Sequence, residues 1–492
     1  MDKIGLYLEN CMKENTKRIF LKLKNSDVSY GFAYEKILSI KEMLLKSGVK
    51  SRDRVILLCN NNNESIVLGF LSILFLDGVC CISRPEIISE NHKLNAKWLI
   101  SVGDFESVEY LKISEDHGVC LFKKIYYEKF FNTPLNTILI APTSGTTSLV
   151  KWVVLSHGSL LYNISAIKEY MNVQLSDTLY MIKNISHIST LTSDVLLSVI
   201  SGASLVVSNE VFSPQNINYT VHTKKVTKIT IVPTILQLML RYNVELLKSL
   251  DTISIVGAPI KVDLLQTAIE RLPGSKILCG YGLTEASSRV TFLPYQDLSA
   301  KLGSIGKPIE GTNIRLIKDG LEVNDSNEVG EIVISGSGVM TGYLKDGEIE
   351  YIHELFTKDL GYRDKDGFYY HVGRNDELII LNGKNISYLY IEEAIESLVE
   401  VDSAHVFKKE RSGIGEYLVA ILVMKKDNEI TSKGIYSILK TILPSYMLPK
   451  RLYLTNESPC SVLGKISRRA LESWVEEKGG EDIEGIGNHT SF

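Results

Sequence analysis

Apolar positions along the chain alternate between short strand-like runs and longer helix-like stretches. Arg54–Cys59 and Val79–Ile82 are short and apolar, which predicts buried strands. Glu64–Leu76, between them, is too long for a typical strand and is predicted to be a helix. The same alternation continues from Trp152–Leu155 to Lys276–Leu278. Alternation of this regularity predicts an α/β fold with parallel sheets covered by helices on both faces.

The pattern changes twice in the second half of the chain. From about Gly303, predicted strands follow one another without helices and are separated by Gly and Asp turns, which predicts a β-rich subdomain. Past Gly373 the pattern predicts a small, mobile α+β domain. We therefore expect a large domain over residues 1–373 and a small C-terminal domain over 374–478, followed by a disordered, acidic tail over 479–492.

Composition excludes several classes of protein. The 492 residues carry 54 Lys and Arg against 58 Asp and Glu, so no basic excess predicts nucleic acid or an anionic membrane as a partner. The longest apolar run, Ile66–Leu76, is too short to span a bilayer. Seven cysteines without a Cys-X-X-Cys pair predict reduced thiols in the cytoplasm and no Cys/His metal site.

A polar loop after the predicted strand Asn136–Ala141 is the first candidate binding element. Five small residues precede the cation of Lys151, and they are Thr143, Ser144, Gly145, Thr146 and Thr147. Small hydroxyl residues around a glycine let N–H groups and hydroxyls converge on phosphate oxygens, with the lysine as counter-charge. The loop is not a Walker A motif, because no Gly-Lys-Ser/Thr follows at the required spacing. Taken alone, a Ser/Thr-rich surface turn is the alternative.

Four further segments carry candidate chemistry, and they are Gly257-Ala258-Pro259, Tyr281-Gly282-Leu283-Thr284-Glu285, Asp359 and Lys465. The first two follow predicted strands, where ligands meet the carboxyl ends of a parallel sheet. Thr284 and Glu285 offer oxygen ligands for Mg²⁺. A carboxylate at Asp359 is able to accept both hydroxyls of a ribose. Each segment alone has a structural alternative: a turn, a solvated loop acid or a surface lysine.

In this order, the segments resemble the AMP-forming adenylating superfamily of acyl- and aryl-CoA synthetases, nonribosomal adenylation proteins and firefly luciferases. The resemblance runs from about Val28 to Leu471. Thr143–Lys151 resembles the family's phosphate loop, and Tyr281–Glu285 matches its Tyr-Gly-Leu-Thr-Glu signature as spelled. The further matching segments are Ser304–Pro308, Gly330–Ile334, Gly373–Asp376, Leu443–Pro449 and Gly464-Lys465.

The resemblance implies a two-step reaction that uses ATP and Mg²⁺. A carboxylate attacks the α-phosphate of ATP and gives an acyl-adenylate and pyrophosphate. The small domain then swings about its hinge, and a thiol displaces AMP. Mg²⁺, loop amides and a positioned lysine stabilise the charge that develops in the in-line displacement.

The resemblance also implies roles for single residues. The residues expected to bind the nucleotide are Thr143, Ser144, Gly145, Thr146, Thr147, Lys151, Gly257, Ala258, Pro259, Tyr281, Gly282, Asp359 and Arg374. Within this set, Tyr281 stacks on the adenine, while Asp359 and Arg374 hold the ribose. Glu285 binds Mg²⁺, and Asp376 is the hinge. The expected catalytic residues are Lys465, His187 and Thr284, and Lys465 acts in the first half-reaction only.

Five positions depart from the family's usual pattern. Ser148 and Val150 stand where the loop usually has glycine and proline, and Trp152 replaces the glycine after the lysine. Lys358 replaces a glycine, and Asn385 stands where arginine is usual, which removes one expected phosphate contact. The alternative is therefore a catalytically impaired nucleotide-binding homologue. Five functional residues argue against it because they are retained: Lys151, Glu285, Asp359, Arg374 and Lys465.

The expected acid pocket is lined by four segments, which are the surroundings of His187, Val232–Thr234, Val256–Ala258 and Cys279–Ser288. His187-Ile188 resembles the spelling common in coumarate and fatty acyl-CoA ligases, whereas amino-acid-activating members carry an aspartate after the aromatic residue. Because Ile188 offers no counter-charge, a buried ammonium would be unpaired, and acids without an α-ammonium are expected. An amino-acid-activating adenylation protein is the alternative. Asp194, the nearest acid, is expected at the surface or as a helix cap.

The expected acceptor is a thiol. Leu443–Pro449 is closer to adenylation proteins that serve carrier proteins than to typical CoA ligases. No Leu-Gly-Gly-X-Ser attachment site for phosphopantetheine occurs in the chain, so a carrier protein would act in trans. CoA is the other expected acceptor.

Overall fold

The computed structural model describes residues 3–103, 105–128, 133–143, 150–208, 213–323, 325–345, 347–375, 378–381, 384–396, 398, 400–411, 415–425, 430–456 and 468–478. The chain forms two compact units. The larger unit contains most of the chain up to Thr357, together with Tyr362–His371. The smaller unit contains Lys358–Gly361 and the chain from Val372 onwards. The expected domain boundary after residue 373 stays a prediction.

The described strands are, in chain order, β1 Ile19–Lys22, β2 Asp27–Ser29, β3 Arg54–Leu58, β4 Val79–Ser83, β5 Trp98–Val102, β6 Tyr110–Asp116, β7 Val119–Lys124, β8 Thr137–Pro142, β9 Trp152–Ser156, β10 Thr178–Met181, β11 Ser204–Val207, β12 Lys228–Ile231, β13 Thr252–Ile255, β14 Lys276–Tyr281, β15 Thr291–Leu293, β16 Ser304–Pro308, β17 Thr312–Lys318, β18 Leu321–Glu322, β19 Gly330–Gly336, β20 Gly342–Lys345, β21 Glu348–Tyr351, β22 Leu355–Arg363, β23 Tyr369–Arg374, β24 Leu378–Leu381, β25 Lys384–Ser387, β26 Val401–Arg411, β27 Gly415–Met424 and β28 Arg451–Thr455.

The described α-helices are α1 Ile4–Glu14, α2 Tyr30–Lys46, α3 Glu64–Phe75, α4 His157–Met171, α5 Ile188–Thr190, α6 Leu197–Ser201, α7 Pro214–Lys224, α8 Pro233–Leu240, α9 Val262–Arg271, α10 Tyr295–Leu298, α11 Tyr388–Glu396, α12 Ser432–Ile442 and α13 Arg468–Lys478. Short 3₁₀ segments cover Pro85–Leu94, Val244–Leu247, Thr284–Ala286 and Ser445–Met447. Leu191–Leu196 forms a π-helical segment between α5 and α6.

Two large sheets organise most of these strands. One has the order β21-β20-β9-β8-β4-β3-β5-β7-β6, and the other has the order β18-β17-β19-β22-β23-β16-β15-β14-β13-β12-β10-β11-β1-β2. Strands β10 to β14 pair in parallel, which confirms the α/β prediction. From β14 to β15 the pairing becomes antiparallel, and β16 to β19, β22 and β23 of the β-rich stretch after Gly303 continue this sheet, whereas β20 and β21 join the other one.

Local sequence explains why the early helices begin where they do. The Ser29 hydroxyl accepts a hydrogen bond from the Phe32 N–H at the start of α2. The Asn63 side chain caps α3 in the same way through the Ile66 N–H. Helix α3 is buried from Ile66 to Phe75, because the run is apolar except for Ser72, whose hydroxyl donates to the Leu68 carbonyl.

The smaller unit has a core of its own. Strand β27 pairs antiparallel with β26 and parallel with β28. Its buried side chains pack with residues of α11 and α12, including Ile391, Ile395, Ile435 and Leu439. Helix α12 begins at the Thr431 cap, whose hydroxyl accepts from the Gly434 N–H. Among the described residues of the whole chain, no helix is long and apolar enough to cross a membrane.

Candidate active site

Two of the predicted binding segments lie at the same edge of the larger sheet. Strands β13 and β14 are parallel neighbours, with Ile255 opposite Cys279, so the turns that follow them emerge side by side. Gly257, Ala258 and Pro259 follow β13 and are exposed. Tyr281 ends β14, and the signature turn that it begins is partly exposed. A ligand at the carboxyl ends of these strands therefore has access to both turns.

Glycine is required inside the signature turn because the backbone doubles back on itself. A Cβ atom on Gly282 would lie 1.8 Å from the carbonyl oxygen of Ser288. Gly257 has φ +85°, a left-handed conformation that side chains other than glycine rarely adopt. The two glycines therefore fix the path of the chain at the candidate site.

Tyr281 lies beside a second aromatic ring. Its ring centroid is 6.2 Å from that of His371, and the two ring planes are inclined by 30°. Such a pair presents flat apolar surface next to polar backbone. This arrangement fits a planar base, and adenine stacking on Tyr281 stays a prediction.

Tyr343 connects two residues that the sequence pointed to separately. Its hydroxyl donates a hydrogen bond to Glu285 Oε1 at 3.0 Å. The Lys151 ammonium lies 5.1 Å from the centroid of the same ring. Strand pairing sets this position, because β20 places Tyr343 opposite Val153 in β9, directly after Lys151. The lysine and the carboxylate thus share one tyrosine. No sequence motif marked Tyr343, since a tyrosine in an ordinary strand carries no signal of its own.

The Glu285 carboxylate suits Mg²⁺ that is also bound by a nucleotide. It is partly exposed, and within the described part of the chain its partner is a neutral hydroxyl rather than a cation. Within the described part of the chain, no cluster of three or more His, Cys, Asp or Glu residues is arranged to hold a metal ion. Mg²⁺ commonly needs only one or two protein carboxylates when substrate phosphates and water complete its shell. Glu285 fits that mode of binding.

Asp359 is not the solvated loop acid that was its structural alternative. It lies in β22, is 3% exposed, and its Oδ1 accepts a hydrogen bond from Arg374 Nη1 at 3.0 Å. Lys358 before it has φ +63°, a left-handed conformation that favours glycine, the residue expected there from the family resemblance. The structure therefore brings together the two residues predicted to bind ribose, and their role stays a prediction.

The phosphate loop is described only at its ends. The Thr143 N–H donates to the Lys151 carbonyl at 2.9 Å, which closes the base of the loop. Trp152, the first residue of β9, is 1% exposed and packs into the core, so this departure has a structural role. The predicted residues outside the described part of the chain are Ser144, Gly145, Thr146, Thr147, Ser148, Asp376 and Lys465. The predicted tail over 479–492 lies outside it as well, and for Asn385 only the backbone is described.

His187 begins a buried, irregular helical segment. Its carbonyl accepts from the N–H groups of Thr190 and Leu191 at 2.9 and 3.2 Å. Ile188 is buried, and no carboxylate takes the position after His187. The expectation for Asp194 is wrong: it lies in the π-helical segment and is 1% exposed. The extra residue of a π-turn rotates side chains relative to an α-helix, so the surface position inferred from α-helical spacing does not apply.

Asp194 belongs to a buried charged group that sequence patterns did not predict. The other members are Lys183 and Arg289, which are 4% and 1% exposed. Burial raises the pKa of Asp194 to about 7, and the charges of Lys183 and Arg289 oppose that rise. Burial lowers the pKa of Lys183 to about 8, against the attraction of Asp194. Arg289 is far from the other two residues in sequence, so no local motif reveals the group.

Comparison with known proteins tests the family resemblance at the level of sequence. The model of the AMP-binding enzyme family matches residues 8–344. A 2-succinylbenzoate–CoA ligase of Bacillus cytotoxicus is 30% identical over 475 residues, which cover 94% of this chain and 96% of the relative. A ligase of the same name from Bacillus mycoides is 29% identical over 479 residues, with coverages of 94% and 96%.

Two solved structures share the fold. The o-succinylbenzoate CoA synthetase MenE of Bacillus subtilis, in complex with the acyl-adenylate intermediate OSB-AMP, has a TM-score of 0.80 at 24% identity and covers 95% of this chain and 97% of its own. ATP-bound MatB of Rhodopseudomonas palustris has a TM-score of 0.81 at 19% identity, with coverages of 96% and 99%. Because both identities are below 25%, these likenesses support the fold alone.

The α/β architecture matches that of solved adenylating enzymes, and the family model and the relatives identify the class as AMP-forming adenylating enzymes. The chain belongs to the AMP-binding enzyme family. It is an AMP-forming acid–thiol ligase, and the resemblance seen in its sequence motifs is confirmed.

Proposed function

We propose that the chain activates a carboxylic acid without an α-ammonium as its acyl-adenylate, using Mg·ATP, and then transfers the acyl group to CoA. The arrangement of Lys151, Tyr343 and Glu285 carries this proposal. It places a cation near a carboxylate that is suited to hold Mg²⁺. Both the lysine and the Mg²⁺ would stabilise the negative charge that develops on the phosphate during in-line attack. CoA is favoured as the acceptor because the relatives are named CoA ligases. A carrier protein in trans is the second acceptor to test.

The proposed roles follow the geometry. Glu285 binds Mg²⁺, which screens the phosphates, while Tyr343 holds the carboxylate in place through its hydroxyl. Lys151 stays near the phosphate loop, and Thr284 lies beside Glu285 as a further oxygen donor. His187 lines the acid pocket, and Lys465 balances charge between the acid and the phosphates. Asp359 and Arg374 accept and donate to the ribose hydroxyls, and Asp376 acts as the hinge.

The first acid to test is 2-succinylbenzoate. Relatives that match nearly the whole chain are named as ligases for it. It has no ammonium, as expected from Ile188, which offers no counter-charge. Burying an unpaired ammonium costs several kcal/mol in a dry pocket, so α-amino acids should be poor substrates.

ATP–pyrophosphate exchange over a panel of acids tests the proposal. The panel contains aryl, acyl and keto acids together with matched α-amino analogues. We expect exchange with at least one acid lacking an ammonium, and AMP release once CoA is added. Equal or better exchange with the α-amino analogues would contradict the expected specificity. AMP release with a phosphopantetheinylated carrier but not with CoA would change the acceptor.

Variants of Tyr343 test the role of the central tyrosine. Tyr343→Phe keeps the ring near Lys151 and removes the hydroxyl that contacts Glu285. We expect a higher KM for Mg·ATP, by about 10- to 100-fold, from the loss of a hydrogen bond to a charged group. Tyr351→Phe is the matched control, since Tyr351 is an exposed tyrosine on the adjacent strand β21. An unchanged KM in Tyr343→Phe would show that the hydroxyl does not position Glu285.

A further inference from the structure

Lys183 and Arg289 are buried cations whose contacts are all neutral. The Lys183 ammonium donates to the Ser189 hydroxyl at 2.9 Å. Arg289 also donates to neutral oxygens, which are the Tyr170 hydroxyl at 2.8 Å, the Ser288 carbonyl at 3.1 Å and the Ser193 hydroxyl at 3.1 Å. Among the described residues, neither cation has a carboxylate oxygen within 4.0 Å. Buried charges normally have a partner of opposite sign, so this pair is unusual.

The nearby acid does not fully compensate them. Asp194 interacts electrostatically with both cations, without direct contact. Its Oδ2 atom is buried and has no hydrogen-bond partner. With all three side chains ionised, the group has one excess positive charge. The fold thus holds two cations and one carboxylate out of water, and one further anion would make the group neutral.

The group lies in the segments expected to line the acid pocket. Ser189 follows His187 by two residues, and Thr192 donates a hydrogen bond to the Ser288 hydroxyl at 2.8 Å. This bond joins the π-helical segment to the strand-end segment that carries the signature turn. Buried side-chain oxygens without a hydrogen-bond partner occur in the same segments, at Ser186, Thr190 and Ser287. Together with the two cations, they make the interior of these segments polar and positively charged.

We propose that Lys183, Asp194 and Arg289 select acids that carry a second anionic group, remote from the carboxylate that is activated. The inference rests on the proposed function, because it concerns the acid pocket. A carboxylate of the substrate supplies the missing negative charge, and a guanidinium binds it in a planar, two-bond geometry. Asp194 balances one of the two cations, so the site takes a single further anion. An acid with an apolar tail leaves the excess charge unpaired.

A pair of acids that differ by one carboxylate tests this inference. 2-Succinylbenzoate has a second carboxylate on its ring, whereas 4-oxo-4-phenylbutanoate has the same skeleton without it. We expect kcat/KM in ATP–pyrophosphate exchange to favour the diacid by about 10- to 100-fold, the range for a hydrogen bond to a charged group. Arg289→Met should reduce this ratio towards one, mainly by lowering the value for the diacid. Arg289→Lys, which keeps the charge, should retain part of the preference.

Lys228→Met is the matched control variant. Lys228 is a lysine that is 3% exposed, but its ammonium contacts Asp251 at 2.8 Å and therefore has a partner. This variant should lower stability without changing the ratio between the two acids. A similar change of ratio in Lys228→Met and Arg289→Met would mean that general destabilisation causes the effect, which would overturn the inference.

Thermal shifts separate failure of this inference from failure of the proposed function. If exchange occurs but the wild-type protein uses both acids equally, the charged group is structural and the inference is wrong. If no acid supports exchange, the proposed function fails, and the rise in melting temperature caused by each acid still decides the inference. A larger rise with the diacid, reduced in Arg289→Met, supports it; equal shifts, or none with either acid, contradict it.

Discussion

Replacing Lys358 tests whether strain is stored beside the predicted ribose site. Lys358 has φ +63° within β22, directly before Asp359. Its carbonyl accepts a hydrogen bond from the Asn375 N–H at 2.6 Å, which holds this conformation in place. Left-handed backbone costs a residue with a side chain about 1–2 kcal/mol relative to glycine. Lys358→Gly should therefore relieve strain.

The comparison with Lys358→Ala isolates the backbone effect, because both variants lose the lysine side chain and its contacts. Glycine loses about 0.5–1 kcal/mol relative to alanine through the greater freedom of the unfolded chain. Subtracting this loss from the strain that is relieved leaves Lys358→Gly more stable than Lys358→Ala, by on the order of 1 kcal/mol. At an ordinary strand position the sign would be reversed.

Urea unfolding of the two variants measures this difference. Both curves should have the same slope, so that the shift in midpoint reports the free energy of unfolding alone. Mutually consistent midpoints from fluorescence and circular dichroism are needed, since a chain with two compact units need not unfold in one step. Equal stabilities, or a more stable Lys358→Ala, would refute the claim that the backbone at Lys358 is strained.

The remaining predictions concern phosphate handling, the half-reactions and pH. Asn385→Arg should lower the KM for ATP or raise the adenylation rate, because a guanidinium binds phosphate through two bonds; no change in either would mean that another residue makes the contact. Lys465→Ala should slow adenylation by about 10²–10³-fold and spare thiol transfer from a supplied acyl-adenylate, and equal damage to both steps would contradict the alternating-domain account. Burial alone would raise the pKa of Asp251, but hydrogen bonds from Lys228 and Thr252 lower it to about 2. The charged form therefore stabilises the fold above its ordinary pKa near 3.8, and this contribution is lost as the pH falls through 2. Asp251→Asn should lower the free energy of unfolding near neutral pH by about 1 kcal/mol, a value reduced for partial exposure, and the deficit should shrink below about pH 4; a deficit independent of pH would contradict the charge effect.

Elements with a regular local pattern were predictable from sequence. The predicted bounds of β3, α3 and β4 agree with the structure to within one residue, because short and long apolar runs are recognisable from the local sequence. Helix α1 was not predicted, although Ile4, Leu8 and Met12 have helical spacing and are buried. Its burial depends on tertiary packing, including a hydrogen bond from the Ile4 N–H to His157 Nδ1.

The candidate site was predictable wherever a motif spells out its chemistry. Gly282 and Glu285 were predicted in this way; the close approach to Ser288 explains the glycine, and the ligand roles of both residues stay predictions. Tyr343 was not predicted, since its position depends on strand pairing. Asp194 was placed wrongly, since its surroundings depend on charges brought together by the fold. Local spacing gives no information about such partners, and only the folded chain shows them.

Transfer of isotope from the acid to AMP tests the central claim most directly. The protein is incubated with ATP, Mg²⁺, CoA and 2-succinylbenzoate labelled with oxygen-18 in its carboxylates, and the AMP is analysed by mass spectrometry. Attack of the carboxylate on the α-phosphate forms a bond from an acid oxygen to phosphorus, and displacement by the thiol leaves that oxygen on AMP. We predict AMP that carries one labelled oxygen. Release of ADP with labelled phosphate, or of AMP without label while the thioester forms, would contradict activation through an acyl-adenylate.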